Sequence, residues 1–312
     1  MDAGAEHAEA SLRGELGRAN MAISTARPIL RHMLANSDQS LFSDAVIAHI
    51  RGMLGDVARQ LLYAMAKADE AENVPAFVEE RRSALTRMML DDSEFLGHAH
   101  ALTIEAQLTA RLQRRSGIDS VLSPLLQELA ASTDHDMAAS SMRVLAAQAR
   151  FAQQHRRMEL PLPELPGDLF HKALLYLGNL DESGETTEAT QAALRGTYSE
   201  AGGRLGQITR LVMAMGRRAP RALAIDHAGL AIFATALAMA SGQDRNLAIF
   251  SFGENQLARL ALSLRAAGLK QAEVEDQLLY LHSDVTLPPG FEEITIERAS
   301  AILKTANPEA ID

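Results

Sequence analysis

The sequence contains no cysteine and no tryptophan, and only 4% of its 312 residues are aromatic. Without cysteine the chain cannot form disulfides, thiolate zinc sites or iron–sulfur clusters, and it has no cysteine nucleophile. An active site would therefore have to use carboxylate and imidazole groups. Because aromatic rings are scarce and the formal net charge is −10, we expect that nucleic acid is not a partner.

Long hydrophobic runs and targeting signals are also missing. The most apolar window, 222–240, contains Asp226 and His227. Its uninterrupted apolar part, 228–240, is shorter than the about 20 residues that a membrane span requires, so we interpret the window as a buried core helix. The first ten residues are acidic and do not resemble a secretory signal peptide. These features predict a soluble, cytoplasmic protein with no membrane partner, and the composition is typical of a bacterial source.

Residues that favour helices dominate the composition. Ala and Leu make up about a third of the chain, and both have high helix propensity. Apolar residues recur at helical spacing, whereas the best strand-like pattern, 294–296, is too short to seed a sheet. The sequence therefore predicts an all-α fold. Gly216, Gly242 and Gly268 fall where helices should end, as helix C-caps.

About twelve antiparallel helices are expected, because short connections make sequential helices antiparallel neighbours. They fit either stacked helical hairpins, a HEAT-like α-solenoid, or two adjoining helical bundles. Three prolines within 159–167 forbid a helix there. The predicted organisation is an N-terminal helical domain of 1–158, a Pro-rich connector of 159–167 and a C-terminal helical domain of 168–312. The predicted helices cover 1–20, 21–35, 41–68, 75–90, 93–115, 118–131, 134–158, 168–180, 188–215, 219–240, 243–267, 270–282 and 292–305.

The C-terminal part resembles a group of known proteins. A helical stretch over 231–242 ends in Ser-Gly, and a second over 254–269 ends in Arg-Ala-Ala-Gly-Leu. This pattern resembles the C-terminal part of an uncharacterised bacterial family of HEAT-like helical proteins of unknown function. The resemblance implies a helical-repeat architecture and implies no catalytic residue.

The best candidate for chemistry is a stripe of carboxylate and imidazole groups. Glu94 and His98 are four residues apart and Glu105 lies two turns further, so the three share one helix face. Asp168 and His171 lie three residues apart on another predicted helix and are the natural second contributor. Together these side chains could ligate a metal ion. The alternative is a polar strip on a surface helix, because the two helices are not matched in spacing.

Three other stretches look like catalytic motifs but have simpler interpretations. The HD pair within 134–136 resembles that of metal-dependent phosphohydrolases, yet acids are favoured at helix starts, so helix capping is expected. Asp91 and Asp92 superficially resemble the acidic motif of isoprenoid synthases, and Ser93 is the expected N-cap there. The glycine-rich stretch 202–206 follows no strand, so it predicts a helix break or close packing and not a phosphate cradle.

A weaker group of candidates lies at the start of the most apolar helix. Arg217, Arg218 and Arg221 form a basic patch that could hold an acidic peptide or a phosphate. Asp226 and His227 follow them, and polar groups at the edge of a buried helix need partners.

These features favour a non-enzymatic helical-repeat protein that acts as a protein-interaction or regulatory module. Its expected partner is another protein, and no cofactor is expected. Two alternatives stay open. One is an all-α metal-dependent enzyme that uses the carboxylate/His site, and the other is a small-molecule sensor with a pocket between the two halves.

Overall fold

The computed structural model describes residues 2–35, 44–180, 185–253, 256–282 and 285–306. All regular structure in these ranges is helical and none is strand, which confirms the predicted all-α fold. The α-helices are α1 (Asp2–Ala35), α2 (Asp44–Ala68), α3 (Val74–Asp91), α4 (Ser93–Ser116), α5 (Pro124–Ala130), α6 (His135–Arg156), α7 (Gly167–Gly178), α8 (Glu185–Thr197), α9 (Arg204–Ala214), α10 (Ile225–Ala228), α11 (Leu230–Ser241), α12 (Arg245–Phe250), α13 (Leu257–Ala266), α14 (Gln271–Leu281) and α15 (Ile296–Thr305). Short 3₁₀ helices cover Leu162–Glu164, Glu200–Gly202, Gly216–Leu223 and Phe291–Glu293.

The first half of the chain follows the predicted helices with two exceptions. The helices expected over 1–20 and 21–35 are one continuous helix, α1. The helix expected over 118–131 is reduced to α5. Its start is replaced by a turn, in which Asp119 Oδ1 accepts hydrogen bonds from two following backbone N–H groups at 2.7 Å. A local side-chain bond of this kind competes with helix formation.

Glycine divides the second half more finely than predicted. The helix expected over 188–215 is two helices, α8 and α9. Between them a Cβ on Gly203 would lie 2.1 Å from Pro163 O, so only glycine fits, which confirms the expected break with close packing. The helix expected over 219–240 begins as a 3₁₀ helix and is interrupted at Gly229, whose φ of +71° other residues rarely adopt.

The predicted glycine caps are confirmed. Gly216, Gly242 and Gly268 have φ values of +53°, +66° and +99°, in the left-handed region that ends helices. Gly242 directly follows α11, and its N–H donates to Ala238 O. The helix expected over 243–267 is therefore separated from α11, and it consists of two shorter helices, α12 and α13.

The contacts divide the chain into two compact units, each assembled from separated segments. The first unit comprises Met1–Ala26, Ile104–Leu145 and Ile208–Asp312, and the second comprises Arg27–Thr103 and Ala146–Gln207. This division differs from the predicted domains 1–158 and 168–312, because the connector 159–167 lies inside the second unit. Its leucines Leu160 and Leu165 are 1% exposed and belong to the core of that unit.

The core of the second unit is built on α2 and α3. These helices are joined by residues 69–73 and pack against each other. Asn73 Oδ1 accepts a hydrogen bond from Ala76 N at 3.1 Å and caps α3. The buried apolar face of α2, including Ile50, Leu54 and Leu61, packs with side chains of α4 and α7 in one cluster, so burial of apolar surface holds this unit together.

The core of the first unit is centred on α11. Ten of its 12 residues are buried, which confirms a buried core helix for 230–240, the main part of the apolar window 222–240. Helix α11 contacts α12 and α13, and α13 packs on α15. Within the described ranges, no helix is both long and apolar enough to cross a membrane.

Candidate functional site

The five predicted metal ligands are not gathered into one site. Glu105 belongs to the first unit and the other four belong to the second. Glu94 is exposed, and its Oε2 lies 2.7 Å from Lys172 Nζ. Asp168 and His171 are exposed on α7. In the part of the chain that the structure describes, no three His, Asp or Glu side chains are grouped so that they could hold a metal ion.

The two buried members of that set have other contacts. His98 is 1% exposed, and its Nε2 lies 3.3 Å from Glu164 O. Glu105 is 2% exposed, and its Oε2 accepts a hydrogen bond from Arg245 Nη2 at 2.9 Å. Arg245 Nε donates in turn to Thr235 Oγ1 at 2.9 Å. Glu105 is therefore half of a largely buried ion pair. Removing either partner of such a pair destabilises the fold.

Asp92, and not Ser93, caps α4, so the predicted cap was wrong by one residue. Asp92 Oδ1 accepts hydrogen bonds from the N–H groups of Glu94 at 2.7 Å and Phe95 at 3.3 Å. Its Oδ2 accepts one from the Tyr176 hydroxyl at 2.7 Å. Burial alone would raise the pKa of Asp92, but these hydrogen bonds and a nearby lysine hold the pKa below its usual range. Both carboxylate oxygens of Asp92 are thus used in hydrogen bonds that stabilise the fold.

The HD stretch caps α6, as the sequence predicts. Asp134 Oδ1 accepts hydrogen bonds from the N–H groups of Asp136 at 3.1 Å and Met137 at 3.2 Å. His135 is exposed in the first turn of the helix. The acids at this helix start are explained by capping and by the helix dipole.

One arginine of the predicted basic patch joins a surface cluster. Arg221 Nη2 lies 2.5 Å from Glu128 Oε2 and 3.0 Å from His227 Nε2. The hydrogen bond from Arg221 holds the pKa of Glu128 below its usual range. Glu128 comes from α5, 93 residues before Arg221, so no spacing in the sequence indicated it. Because Arg221 already has a carboxylate partner, it is less available to an acidic peptide.

The remaining members of this predicted binding group are exposed. Arg217 and Arg218 lie in the 3₁₀ helix that precedes α10. Asp226 is exposed in α10, where it forms a hydrogen bond with the Tyr280 side chain. Burial raises the pKa of Tyr280, and the negative charge of Asp226 adds to this effect.

The connector 159–167, which we call the proline segment, is bound by two side chains of α2. Asp56 Oδ2 accepts a hydrogen bond from Leu160 N at 3.0 Å. Gln60 Nε2 donates to Leu160 O at 2.8 Å, and Gln60 Oε1 accepts from Leu162 N at 3.2 Å. The prediction that no helix forms within 159–167 was wrong for Leu162–Glu164, which form one 3₁₀ turn, whereas Pro161 and Leu165 on either side are extended. Outside that turn the polar groups of the backbone are available to side chains. Two residues of one helix thus recognise an extended backbone.

The second half of the proline segment is also bound by hydrogen bonds to other parts of the second unit. The Tyr198 hydroxyl donates to Leu165 O at 2.7 Å, and Glu164 Oε1 accepts from Arg204 N at 2.9 Å. Arg204 is 1% exposed, and its guanidinium carbon lies 3.7 Å from the centre of the Phe151 ring. The proline segment is therefore an integral part of the second unit.

Large exposed apolar side chains are concentrated in the first unit. Four of them, which we call the exposed methionines, are Met21 (68% exposed), Met142 (53%), Met213 (66%) and Met239 (43%). They lie on α1, α6, α9 and α11. The sequence shows the abundance of methionine, but exposure depends on which face each helix buries. Exposed thioethers are typical of surfaces that bind other proteins, because methionine is flexible and polarisable.

No protein-family model matches the chain. Comparisons with curated proteins and with solved structures also find no match. The resemblance of 231–269 to HEAT-like helical proteins, and the choice between a solenoid and two bundles, therefore stay predictions.

Proposed function

We propose that this chain is a non-enzymatic protein-interaction module whose exposed methionines contact an amphipathic helix of a partner protein. The observation that carries the proposal is the exposure of four methionines, each on a different helix of the first unit. Single apolar residues on a surface need no explanation, whereas a contiguous apolar patch favours an interaction site, and we propose that the four methionines belong to one such patch. Methionine has three rotatable side-chain bonds, so it can adapt to the apolar face of a partner.

The charge of the chain indicates which kind of helix would bind. Acids outnumber bases 40 to 30, which gives the formal net charge of −10. A partner helix with basic residues beside its apolar face is attracted by this charge, whereas an acidic partner is repelled. We therefore propose a basic amphipathic helix, bound through its apolar face. The cytoplasmic location expected from the sequence belongs to the same proposal.

The contacts of the predicted metal ligands support this proposal over a metal-dependent enzyme. Glu94 is paired with Lys172, and Glu105 is paired with Arg245. A carboxylate that pairs with a cation must lose that partner before it can ligate a metal. Buried ion pairs are also costly to break, because one charge is left unpaired.

Affinity capture from the native cell tests the proposal with three forms of the protein. The first is the wild type, and the second is a control variant, Tyr63→Ser/Leu175→Gln, which changes two exposed apolar residues of the second unit. The third is the quadruple variant Met21→Gln/Met142→Gln/Met213→Gln/Met239→Gln. Glutamine keeps the unbranched shape of methionine but is polar, and exposed sites of this kind tolerate such changes.

We expect the wild type and the control variant to recover the same partner, and the quadruple variant to lose it. The recovered partner should contain a basic amphipathic segment, and a peptide of that segment should bind the wild type. Circular dichroism should give the same helix content for all three forms. Equal recovery by the quadruple variant would show that the exposed methionines are not the contact surface.

A further inference from the structure

Arg259 is a buried cation surrounded by neutral acceptors. It is 0% exposed and lies in the first turn of α13. Its Nη1 donates to Gln243 Oε1 at 3.0 Å, and its Nη2 donates to Ala306 O at 3.1 Å and to Asn20 Oδ1. Each of these partners is an amide or carbonyl oxygen, so none of them neutralises the guanidinium charge.

No carboxylate of the described ranges forms an ion pair with Arg259, and burial lowers its pKa to about 10. Arg245, a partly buried arginine of the first unit, has Glu105 as its partner. Buried charges are ordinarily paired, because transfer of an isolated charge from water is very costly. Among the described residues, this buried positive charge therefore has no negative group to neutralise it.

One donor of this side chain is also unsatisfied. Within the described residues, Arg259 Nε has no hydrogen-bond partner, although the side chain is fully buried. Buried polar atoms without partners are uncommon and call for a ligand, an ion or water.

The start of α13 adds positive potential at the same place. The first turn of α13 contains no acidic residue, and Gln256, at the N-cap position, makes no side-chain capping bond in the part of the chain described. The first N–H groups of a helix have no partner inside the helix, and the helix dipole places partial positive charge there. Arg259 adds a full positive charge to this end, which is the arrangement that binds anions.

We propose that Arg259 and the N-terminus of α13 form a binding site for a small oxyanion, a phosphate or carboxylate group. The oxyanion accepts a hydrogen bond from Arg259 Nε and neutralises the guanidinium. Asn20 and Gln243 hold the other two guanidinium nitrogens through their amide oxygens. Phosphate and carboxylate share this chemistry, because both accept charge-assisted hydrogen bonds from a guanidinium. The proposed oxyanion site does not depend on the role of the exposed methionines.

Thermal unfolding of the full chain in different salts tests the site. Sodium phosphate, sodium acetate and sodium chloride are compared at equal ionic strength and pH. A ligand that binds the folded state raises the Tm in proportion to its occupancy. We expect phosphate or acetate to raise the Tm of the wild type by about 5 °C over chloride, and the more effective salt identifies the preferred oxyanion.

Two arginine variants give the test its specificity. Arg259→Gln should remove the response to phosphate and acetate. The matched control is Arg265→Gln on the same helix, because Arg265 donates to Ile294 O and Leu269 O near the other end of α13. Arg265→Gln should lower the Tm in every salt and keep the response. An equal response in Arg259→Gln and the wild type, or no response in the wild type, would overturn the proposal.

A second measurement covers the case in which Arg259→Gln does not fold. Wild-type protein is denatured after gel filtration in chloride buffer, and the released anions are measured by ion chromatography. About one phosphate or carboxylate per chain supports the site, and none overturns it. Glu254 and Glu309 lie outside the described residues. If Glu254→Gln or Glu309→Gln creates a salt response that the wild type lacks, the chain itself supplies the negative group and the proposal is wrong.

Discussion

Replacing Asp56 by alanine should release the proline segment and destabilise the second unit. Asp56 is 8% exposed, and its Oδ2 accepts hydrogen bonds from Leu160 N at 3.0 Å and from Gln60 Nε2 at 2.7 Å. Its Oδ1 is bound by Arg59. In the alanine variant the buried Leu160 N–H loses its partner, and Gln60 loses a bond that orients its amide toward the segment.

The size of the effect follows from these contacts. A hydrogen bond to a charged group contributes about 1.5–3 kcal/mol, and a buried donor left unpaired costs about 1–3 kcal/mol. The bonds belong to one network, so their contributions overlap instead of adding. We expect Asp56→Ala to lower the free energy of unfolding by about 3 kcal/mol. Glu79→Ala is the control, because the Glu79–Arg82 pair is exposed and should contribute less than about 1 kcal/mol.

Urea unfolding at pH 7, followed by circular dichroism, measures the global effect. Limited proteolysis measures the local one, because cleavage depends on how often the proline segment leaves α2. We expect faster cleavage within 159–167 in Asp56→Ala than in the wild type or in Glu79→Ala. A loss below about 1 kcal/mol, together with wild-type cleavage, would refute the assignment of Asp56 as the residue that holds the segment.

Two further predictions concern the polar residues of α4. Glu105→Leu and Arg245→Met should each lower the free energy of unfolding by about 3–5 kcal/mol, since each breaks a largely buried ion pair. Urea unfolding of the double variant should show a smaller loss than the sum of the two, and additive losses would contradict the ion pair. Burial lowers the pKa of His100 to about 4. Because the unfolded state then binds a proton that the folded state does not, stability should fall as the pH drops from about 6.5 to 4. His100→Gln should flatten this dependence between pH 7 and pH 5, and an unchanged slope would show that His100 is not its source.

Features that depend on neighbours in the sequence could be predicted. The all-α fold follows from Ala, Leu and helical spacing. Asp134 caps α6 and Gly242 ends α11, because capping needs only groups within one turn. The error in the predicted N-cap of α4 is only one residue, because Asp and Ser are both good N-cap residues and Asp92 caps the helix instead of Ser93.

Features that depend on distant residues could not be predicted. Glu105 looked like a metal ligand because its partner Arg245 lies 140 residues later. The proline segment was predicted to be a domain boundary because its three prolines are visible in the sequence, whereas its contacts with Asp56 and Gln60 are not. One sequence feature agrees with the lack of an ion-pair partner for Arg259 among the described residues: α13 contains no acidic residue. The absence of acidic residues points to an unneutralised charge only when it is also known that Arg259 is buried.

The most direct test of the proposed function is NMR spectroscopy of the methionine methyl groups, with a basic amphipathic peptide from the captured partner. A soluble paramagnetic agent broadens exposed methyl signals. On binding, the signals of the exposed methionines should shift and become protected from the agent. Those of Met137 and Met215, which are buried in the same unit, should change little. If the peptide binds and the signals of the exposed methionines stay unshifted and unprotected, the interaction surface lies elsewhere and the central claim is wrong.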